Sequence, residues 1–378
     1  MRPYFHSCCC FYDRWLAPTP RAAALNSESG ILSGSSSTVV DTVGYQPSVY
    51  WGAFAVAING TVVYSKAAAA ALSILTWHDR SGRELGHVGE IGVQANPAIS
   101  PDGSRVAIDI TDLKSNNLDV WTNDLKKGTS TRFTFDPSEE TDPVWSHDGT
   151  RIAYRTVAIG AGIQVKPANG MVAAKDILAL KRSDTHLNAS FGVGFFDVIP
   201  NSWSLDDKLL LCSVQDITSA STLGIVPASG GDPVPFLHSQ ASQTNGQISP
   251  DGKWVAYASN ESGDWEIYVT TFPGAVGKWQ VSRGGGNEPR WRGDGKEMFY
   301  LSPNGTLMSV ATDPAETFSS GTPTPLFQVR GRAPISSTDL FTYDVTKDGQ
   351  RFLVNQYVKP EQIAPLTIVQ HALAEPPK

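Results

Sequence analysis

Cysteine, methionine, long apolar runs and surplus positive charge are all scarce in this sequence. Only 4 of its 378 residues are Cys and only 4 are Met. Three of the cysteines, Cys8, Cys9 and Cys10, are adjacent. That layout provides neither the paired positions of a disulfide framework nor the spaced ligands of a zinc site. Such a run has the chemistry to hold a soft metal or accept a lipid, but its plainer reading is part of a tail. Cys212 follows Leu209-Leu210-Leu211 and reads as a small buried hydrophobe. The longest apolar stretch, Ala67 to Leu75, includes a serine and falls far short of the ~20 residues of a membrane span. Arg2 is followed by no apolar segment, so no signal peptide is read. Lys+Arg number 30 against 37 Asp+Glu, a net charge of -7. This balance argues against a nucleic-acid backbone or an anionic membrane surface as the main partner.

What is abundant points elsewhere. Gly 34, Pro 25 and Trp 10, with 40% hydrophobic and 18% charged residues, describe a globular chain of many short strands and tight turns. The first segment lacks periodicity, and Asn26 to Ser37 is rich in Ser and Gly. Residues 1–37 therefore read as a disordered N-terminal tail, and residues 372–378 as a short C-terminal one.

Between them one unit recurs seven times. Its marker is a turn of Asn/Asp-Gly type: Asn59-Gly60, Asp102-Gly103, Asp148-Gly149, Asp251-Gly252, Asp294-Gly295 and Asp348-Gly349, with Asp206-Asp207 in a degenerate copy. Four positions before the second turn residue stand Val56, Ile99, Trp145, Trp203, Ile248, Trp291 and Val345; three positions after it stand Val63, Val106, Ile152, Leu210, Val255, Met298 and Phe352. Every one is apolar. Alternation around such a turn signals a β-hairpin, in which glycine takes the positive φ and the Asp or Asn bonds its own backbone. A third strand follows each hairpin in sequence, for instance Ile74–Trp77 after the first and Leu366–Val369 after the last. Fourth strands are read at six places, among them Thr131–Phe135 and Asp176–Leu180.

Four-stranded units repeated at this period predict an all-β fold, a seven-bladed β-propeller of four-stranded antiparallel blades over residues 38–371, with six or eight blades as alternatives. Each blade is too small to be stable alone and must lean on both neighbours. The seventh unit has no fourth strand in sequence, so residues 38–43 are expected to pair with the last blade and close the ring, removing two exposed sheet edges.

The stretches Ile99-Ser100-Pro101-Asp102-Gly103, Trp145-Ser146-His147-Asp148-Gly149 and Ile248-Ser249-Pro250-Asp251-Gly252 resemble the repeat of TolB-type, WD-like propellers. Leu75–Gly82 and Gly128–Pro137 are similar to the C-terminal propeller region of bacterial, notably acidobacterial, receptor serine/threonine kinases. That resemblance implies a sensing or binding role outside the cytoplasm. The sequence departs from the kinase plan: it has no Gly-rich kinase loop, no H-R-D, no D-F-G and no membrane helix. Leu32–Tyr45 reads as the end of a further upstream repeat, so a fragment or shortened relative is expected.

No catalytic constellation is recognised. G-x-S-x-G, a phosphate loop and H-E-x-x-H are all missing, and the seven histidines are scattered singly. The turn aspartates could in principle form a carboxylate ring for cations, but turn formation explains them. One candidate binding set remains. Asn96, Asp142, Asn245 and Glu288 stand seven positions before the second turn residue in four units. In a propeller those positions converge on one mouth of the central channel, although capping of the strand start explains them equally well. The long insertion Asp184–Ile199, with Phe191, Phe195 and Phe196, reads either as a binding lip or as packing on a blade.

The expectation is a non-catalytic sensor or interaction module that binds a protein, peptide or small ligand, without cofactor or metal, and is monomeric. An accessory propeller of a prolyl oligopeptidase-like system, or a propeller hydrolase or lyase, are the alternatives.

Overall fold

The structure is a computed structural model. It describes residues 21–25, 32–38, 45–46, 51–52, 54–56, 61–65, 72–115, 117–157, 162–180, 195–216, 220–237, 239, 241–331, 340–358 and 366–369. The chain divides into two compact units, one of residues 1–72 with 359–378 and one of residues 73–358.

In the first unit, Arg21–Leu25 pairs antiparallel with Leu32–Thr38, a small hairpin inside the stretch read as a tail. Phe54–Val56, Val62–Ser65 and Leu366–Val369 form a three-stranded antiparallel sheet. The turn at Asn59-Gly60 and the closing segment from Val39 to Val43 lie outside the described residues.

The second unit is built from antiparallel sheets, and the repeated turn explains why. In every copy of this unit but one a Ser or Thr precedes the Asp by two places; before Asp294 that place is taken by Arg292. Gly103 N–H donates to Ser100 O (2.8 Å) and Ser100 N–H to Arg105 O (2.9 Å), so four residues close the hairpin. Asp102 Oδ1 accepts from Ser100 Oγ (2.6 Å) and from Ser104 N–H (3.0 Å). The same bonds recur at Asp148, Asp251 and Asp348. These donors hold the Asp102 and Asp148 carboxyls down at about 2. Only the second turn residue is left-handed: Gly103 has φ 69°, and Asp207 stands in the same conformation at φ 55° where the other copies have glycine. Asp207 uses that position, since its carboxylate accepts from the backbone N–H groups of His147 (2.6 Å) and Asp148 (3.0 Å) in the preceding sheet.

Three sheets run in simple chain order: Glu139–Trp145 to Lys175–Ala179, Phe195–Trp203 to Val234–Pro235, and Gln243–Ile248 to Trp279–Gln280. A further sheet joins Asn287–Trp291, Glu297–Leu301 and Thr306–Asp313 to Thr324–Gln328. The remaining seven strands form one sheet in which Glu84–Ile99 serves twice. Its first half pairs with Ser73–Asp79 and its second with Arg105–Asp112. Ser73–Asp79 also pairs along its whole length with Arg351–Tyr357.

This pairing corrects the reading of third strands at the two ends of the chain. Ser73–Asp79 does not follow the first hairpin; it lies beside the last one, whereas Leu366–Val369 lies beside Val62–Ser65. The two third strands are exchanged. Both carry short apolar segments, Ile74–Trp77 and Leu366–Val369, so each satisfies either hairpin, and sequence order alone does not distinguish them.

Apolar packing follows the same circuit. Among the described residues five hydrophobic clusters of the second unit straddle two neighbouring sheets, joining Val120 and Phe133 with Trp145 and Ile152, Val165 with Trp203, Leu223 with Tyr257, Ile267 with Met298, and Leu307 with Phe352. A further one packs Leu353 and Leu75 against Val106 between the two halves of the seven-stranded sheet. The last contact returns to the starting sheet. The tryptophans at the inner-strand position also carry polar seams. Trp145 Nε1 donates to Ala98 O (2.9 Å), Trp203 Nε1 to Val144 O (3.1 Å) and Trp291 Nε1 to Gln247 O (3.0 Å). Arg105 and Arg151 stack over Trp145 and Trp203 at 4.6 and 4.7 Å.

Leu75 tests the exchange of strands. It is fully buried in the closing contact, so Leu75→Ala is expected to lower unfolding free energy by about 2–5 kcal/mol in urea melts. A loss under about 0.5 kcal/mol is the result for a strand that lies on the surface instead.

Candidate functional site

The four candidate residues share a conformation. Asn96, Asp142, Asn245 and Glu288 have φ of 55°, 56°, 55° and 56°. Each lies at a break in the pairing of its inner strand, between Ala95 and Ala98, Thr141 and Val144, Thr244 and Gln247, or Asn287 and Arg290. These are β-bulges. Asn96, Asp142 and Glu288 precede a proline, which has no N–H to offer the ladder and is tolerated where the pairing already fails. Non-glycine residues in this region cost roughly 1–2 kcal/mol each, so the neighbours must hold them there.

They do so by bonding across the seams. All four residues are buried, between 1% and 6% exposed. Asn96 Oδ1 accepts from Phe341 N–H (2.8 Å), which fixes its amide so that Nδ2 donates both to Asp109 Oδ2 and to Asp142 Oδ1 (2.7 Å each). Asp142 N–H donates to Asp109 Oδ1 (3.1 Å), and Asp142 Oδ2 accepts from Thr141 Oγ1 (2.6 Å). Glu288 receives Thr342 N–H (2.6 Å) and Thr342 Oγ1 (3.0 Å) from the adjoining segment. Asn245 Oδ1 accepts from Thr244 Oγ1 (3.2 Å). Asn96, Asp142 and Glu288 therefore stitch neighbouring sheets together. Asn96 and Asp142 are brought into direct contact; no bond joins them to Asn245 or Glu288.

Several partners carry charge that the sequence reading did not single out. Asp109 and Asp142 are both buried, and burial raises both carboxyls above the usual carboxylate range. For Asp109 the Asp142 charge adds to the rise. Arg155 opposes it at Asp142, lying 3.6 Å from Oδ2 while it makes a two-pronged contact with Asp197. Three carboxyls thus share one guanidinium. Arg290 lies over the ring of Phe341 at 3.7 Å, donates to Gln247 Oε1 (2.9 Å) and stands 3.4 Å from Asp344. Asp344 Oδ2 in turn accepts from Ile99 N–H (2.7 Å). A signal existed: Asp109 and Arg155 interrupt the apolar runs Val106-Ala107-Ile108 and Ile152-Ala153-Tyr154 at one repeat position, six after the second turn residue.

Where the inner strands converge, Asn96, Asp142, Asn201, Arg290 and Phe341 line a cavity of about 40 Å³. Asn245 and Glu288 do not reach it. Pro97, Pro143 and Pro200 stiffen its wall. Among the described residues no group of three or more His, Cys, Asp or Glu is placed to hold a metal ion. Of the long insertion, Asp184 to Gly194 lies outside the described residues, and Phe195 opens a strand.

No family model matches this chain, and no curated protein matches it. Solved structures do. A protein of Agrobacterium tumefaciens assigned as TolB superposes with a TM-score of 0.59 at 15% identity, over 76% of this chain and 99% of that one. Hydrazine synthase from Kuenenia stuttgartiensis gives 0.51 at 14% identity, over 85% of this chain and 95% of that one. TolB from Acinetobacter baumannii gives 0.49 at 14%, over 68% and 64%. Identities at this level speak to fold alone. The fold is a TolB-like β-propeller of antiparallel, largely four-stranded sheets, and proteins of this shape include an enzyme as well as TolB.

Glu288 provides the test of the stitching role. Glu288→Ala leaves a buried Thr342 N–H without an acceptor and is expected to cost about 2–3 kcal/mol of stability, whereas Glu288→Gln costs about 1 kcal/mol. Equal losses in chemical denaturation contradict the assignment.

Proposed function

We propose that this chain is a non-catalytic β-propeller module that takes a protein or peptide partner at the mouth of its central channel. In this reading residues 73–358 supply six blades of largely four strands, one of the alternatives to the seven expected from the repeats, with Ser73–Asp79 and the first half of Glu84–Ile99 completing the last of them. The observation that carries the reading is the cavity at the convergence of the inner strands. At about 40 Å³ it accommodates a few water-sized groups and falls far below the ~300–1,000 Å³ that encloses a small-molecule ligand. A partner must therefore be recognised mainly on the outer surface, with no more than a terminus or one side chain entering the mouth. Rigid, pre-bonded polar groups such as Asn96 and Arg290 favour such recognition, because nothing there needs ordering on binding.

The net charge of -7 keeps nucleic acid out of this reading, and the module acts as a monomer without cofactor. The resemblance of the repeats to receptor-kinase propellers supports a sensing role outside the cytoplasm.

The channel mouth is tested by filling it. Val144 lines the cavity and is only partly buried. Val144→Trp adds bulk there and removes no side-chain hydrogen bond. Immobilised protein is panned against a displayed random-peptide library, and the enriched peptides are then titrated against both proteins. The expected result is at least a tenfold loss of affinity with an unchanged circular-dichroism spectrum. Equal affinity moves the site elsewhere.

A further inference from the structure

A second group of buried ionisable side chains lies apart from the channel cavity, at the seam between Asn117–Asp124 and Glu139–Trp145. Asp119 and Glu140 are each 1% exposed. Asp119 has a cation, because Arg132 donates to its Oδ1 at 2.8 Å from the neighbouring strand. Glu140 has none. Its Oε1 accepts from Ser138 Oγ (2.8 Å), while Oε2 is sealed from solvent with no donor on it. Lys166, whose ammonium feels the Glu140 charge, spends Nζ on Phe133 O (2.6 Å) and lies over the rings of Phe133 and Phe135. The other groups facing Glu140 are Asp119 and Asp136, both acidic, Thr134, and Tyr154, whose hydroxyl donates to Gln164 (2.8 Å).

An ionised carboxylate does not suit this place. One oxygen lacks a donor, and two of the charges around it are like charges. A neutral acid does suit it, because it sets no charge against Asp119 and Asp136 and turns the unpartnered oxygen into a potential donor. Burial pushes the Glu140 carboxyl up to about 7, with Asp119 and Asp136 adding to the rise against the nearby hydroxyls of Ser138 and Thr134.

We propose that Glu140 and Asp119 form a proton-held latch between two neighbouring sheets, shut while Glu140 is a neutral acid and loosened when it ionises. This is independent of the channel reading. The sign follows from linkage: the folded chain holds this proton where the unfolded chain, with its ordinary glutamate, has released it. The latch therefore stabilises fully in acid and fades as pH rises through about 7. The seam is weaker on the alkaline side of neutrality.

Two variants test this. Glu140→Gln is isosteric with the neutral acid and is expected to keep the latch shut at every pH. Asp119→Asn removes the facing charge and is expected to move the transition to lower pH. The measurements are urea melts of the full chain from pH 5 to pH 8 and an infrared titration of the protonated-carboxyl band. Wild type is expected to lose at least tenfold in its folding constant relative to Glu140→Gln across that range, as the band disappears near pH 7. In Asp119→Asn the band is expected to disappear at lower pH. Parallel stability profiles for wild type and Glu140→Gln, or a band already gone at pH 5, overturn the proposal. Should Glu140→Gln fail to fold, an unmoved band in Asp119→Asn overturns it as well.

Discussion

Edge-to-face dependence of small sheets is the constraint on which the rest of this molecule is built. A four-stranded sheet has two faces and two edges, and alone it buries too little apolar surface to offset the entropy of ordering its chain. In residues 73–358 each sheet's large side chains are sealed only by the next sheet, and the succession returns to its start through Leu353 and Leu75 against Val106 and Ile108. Side chains such as these stabilise by roughly 1.5–3 kcal/mol each when fully buried. The strand Ser73–Asp79 makes the return possible. It binds the last hairpin on one side and Glu84–Ile99 on the other, so the two ends of the unit share one hydrogen-bonded sheet.

The polar interior follows from that arrangement. Inner strands that converge leave little room for regular pairing, and four of them are bent by a bulge whose residue takes a left-handed conformation. The side chains at those bulges face neighbouring sheets, and their burial demands partners. Asn96 to Asp109 and Asp142, Glu288 to Thr342, and Arg155 to Asp197 are the solutions. Asn96 and Asp142 thus both hold a seam and set the chemistry of the cavity wall. Truncating these groups is therefore expected to disturb the seams and the cavity wall together.

Much of the fold was legible in the sequence because the turn chemistry repeats. Asp102-Gly103 and its counterparts stand at hairpin turns, and Trp145, Trp203 and Trp291 are buried between sheets. What sequence order did not disclose is which hairpin receives Ser73–Asp79 and which receives Leu366–Val369, because both strands fit both places and the choice is made by tertiary packing. The candidate site was half legible. Spacing located Asn96 and Asp142 on a common cavity, but it treated Asn245 and Glu288 as their equals, and in the structure these face other partners. Asp109, Arg155, Asp197 and Arg290 escaped notice because their roles depend on contacts between strands dozens of residues apart.

Hydrogen exchange addresses the closure most directly. If Ser73–Asp79 shuts the ring, its amides open only when the whole of residues 73–358 unfolds, and their protection equals that of the interior strand Trp254–Ser259. Amides of Ser73–Asp79 exchanging a hundredfold or more faster than those of Trp254–Ser259 would contradict the account, since the strand would then be a dispensable edge.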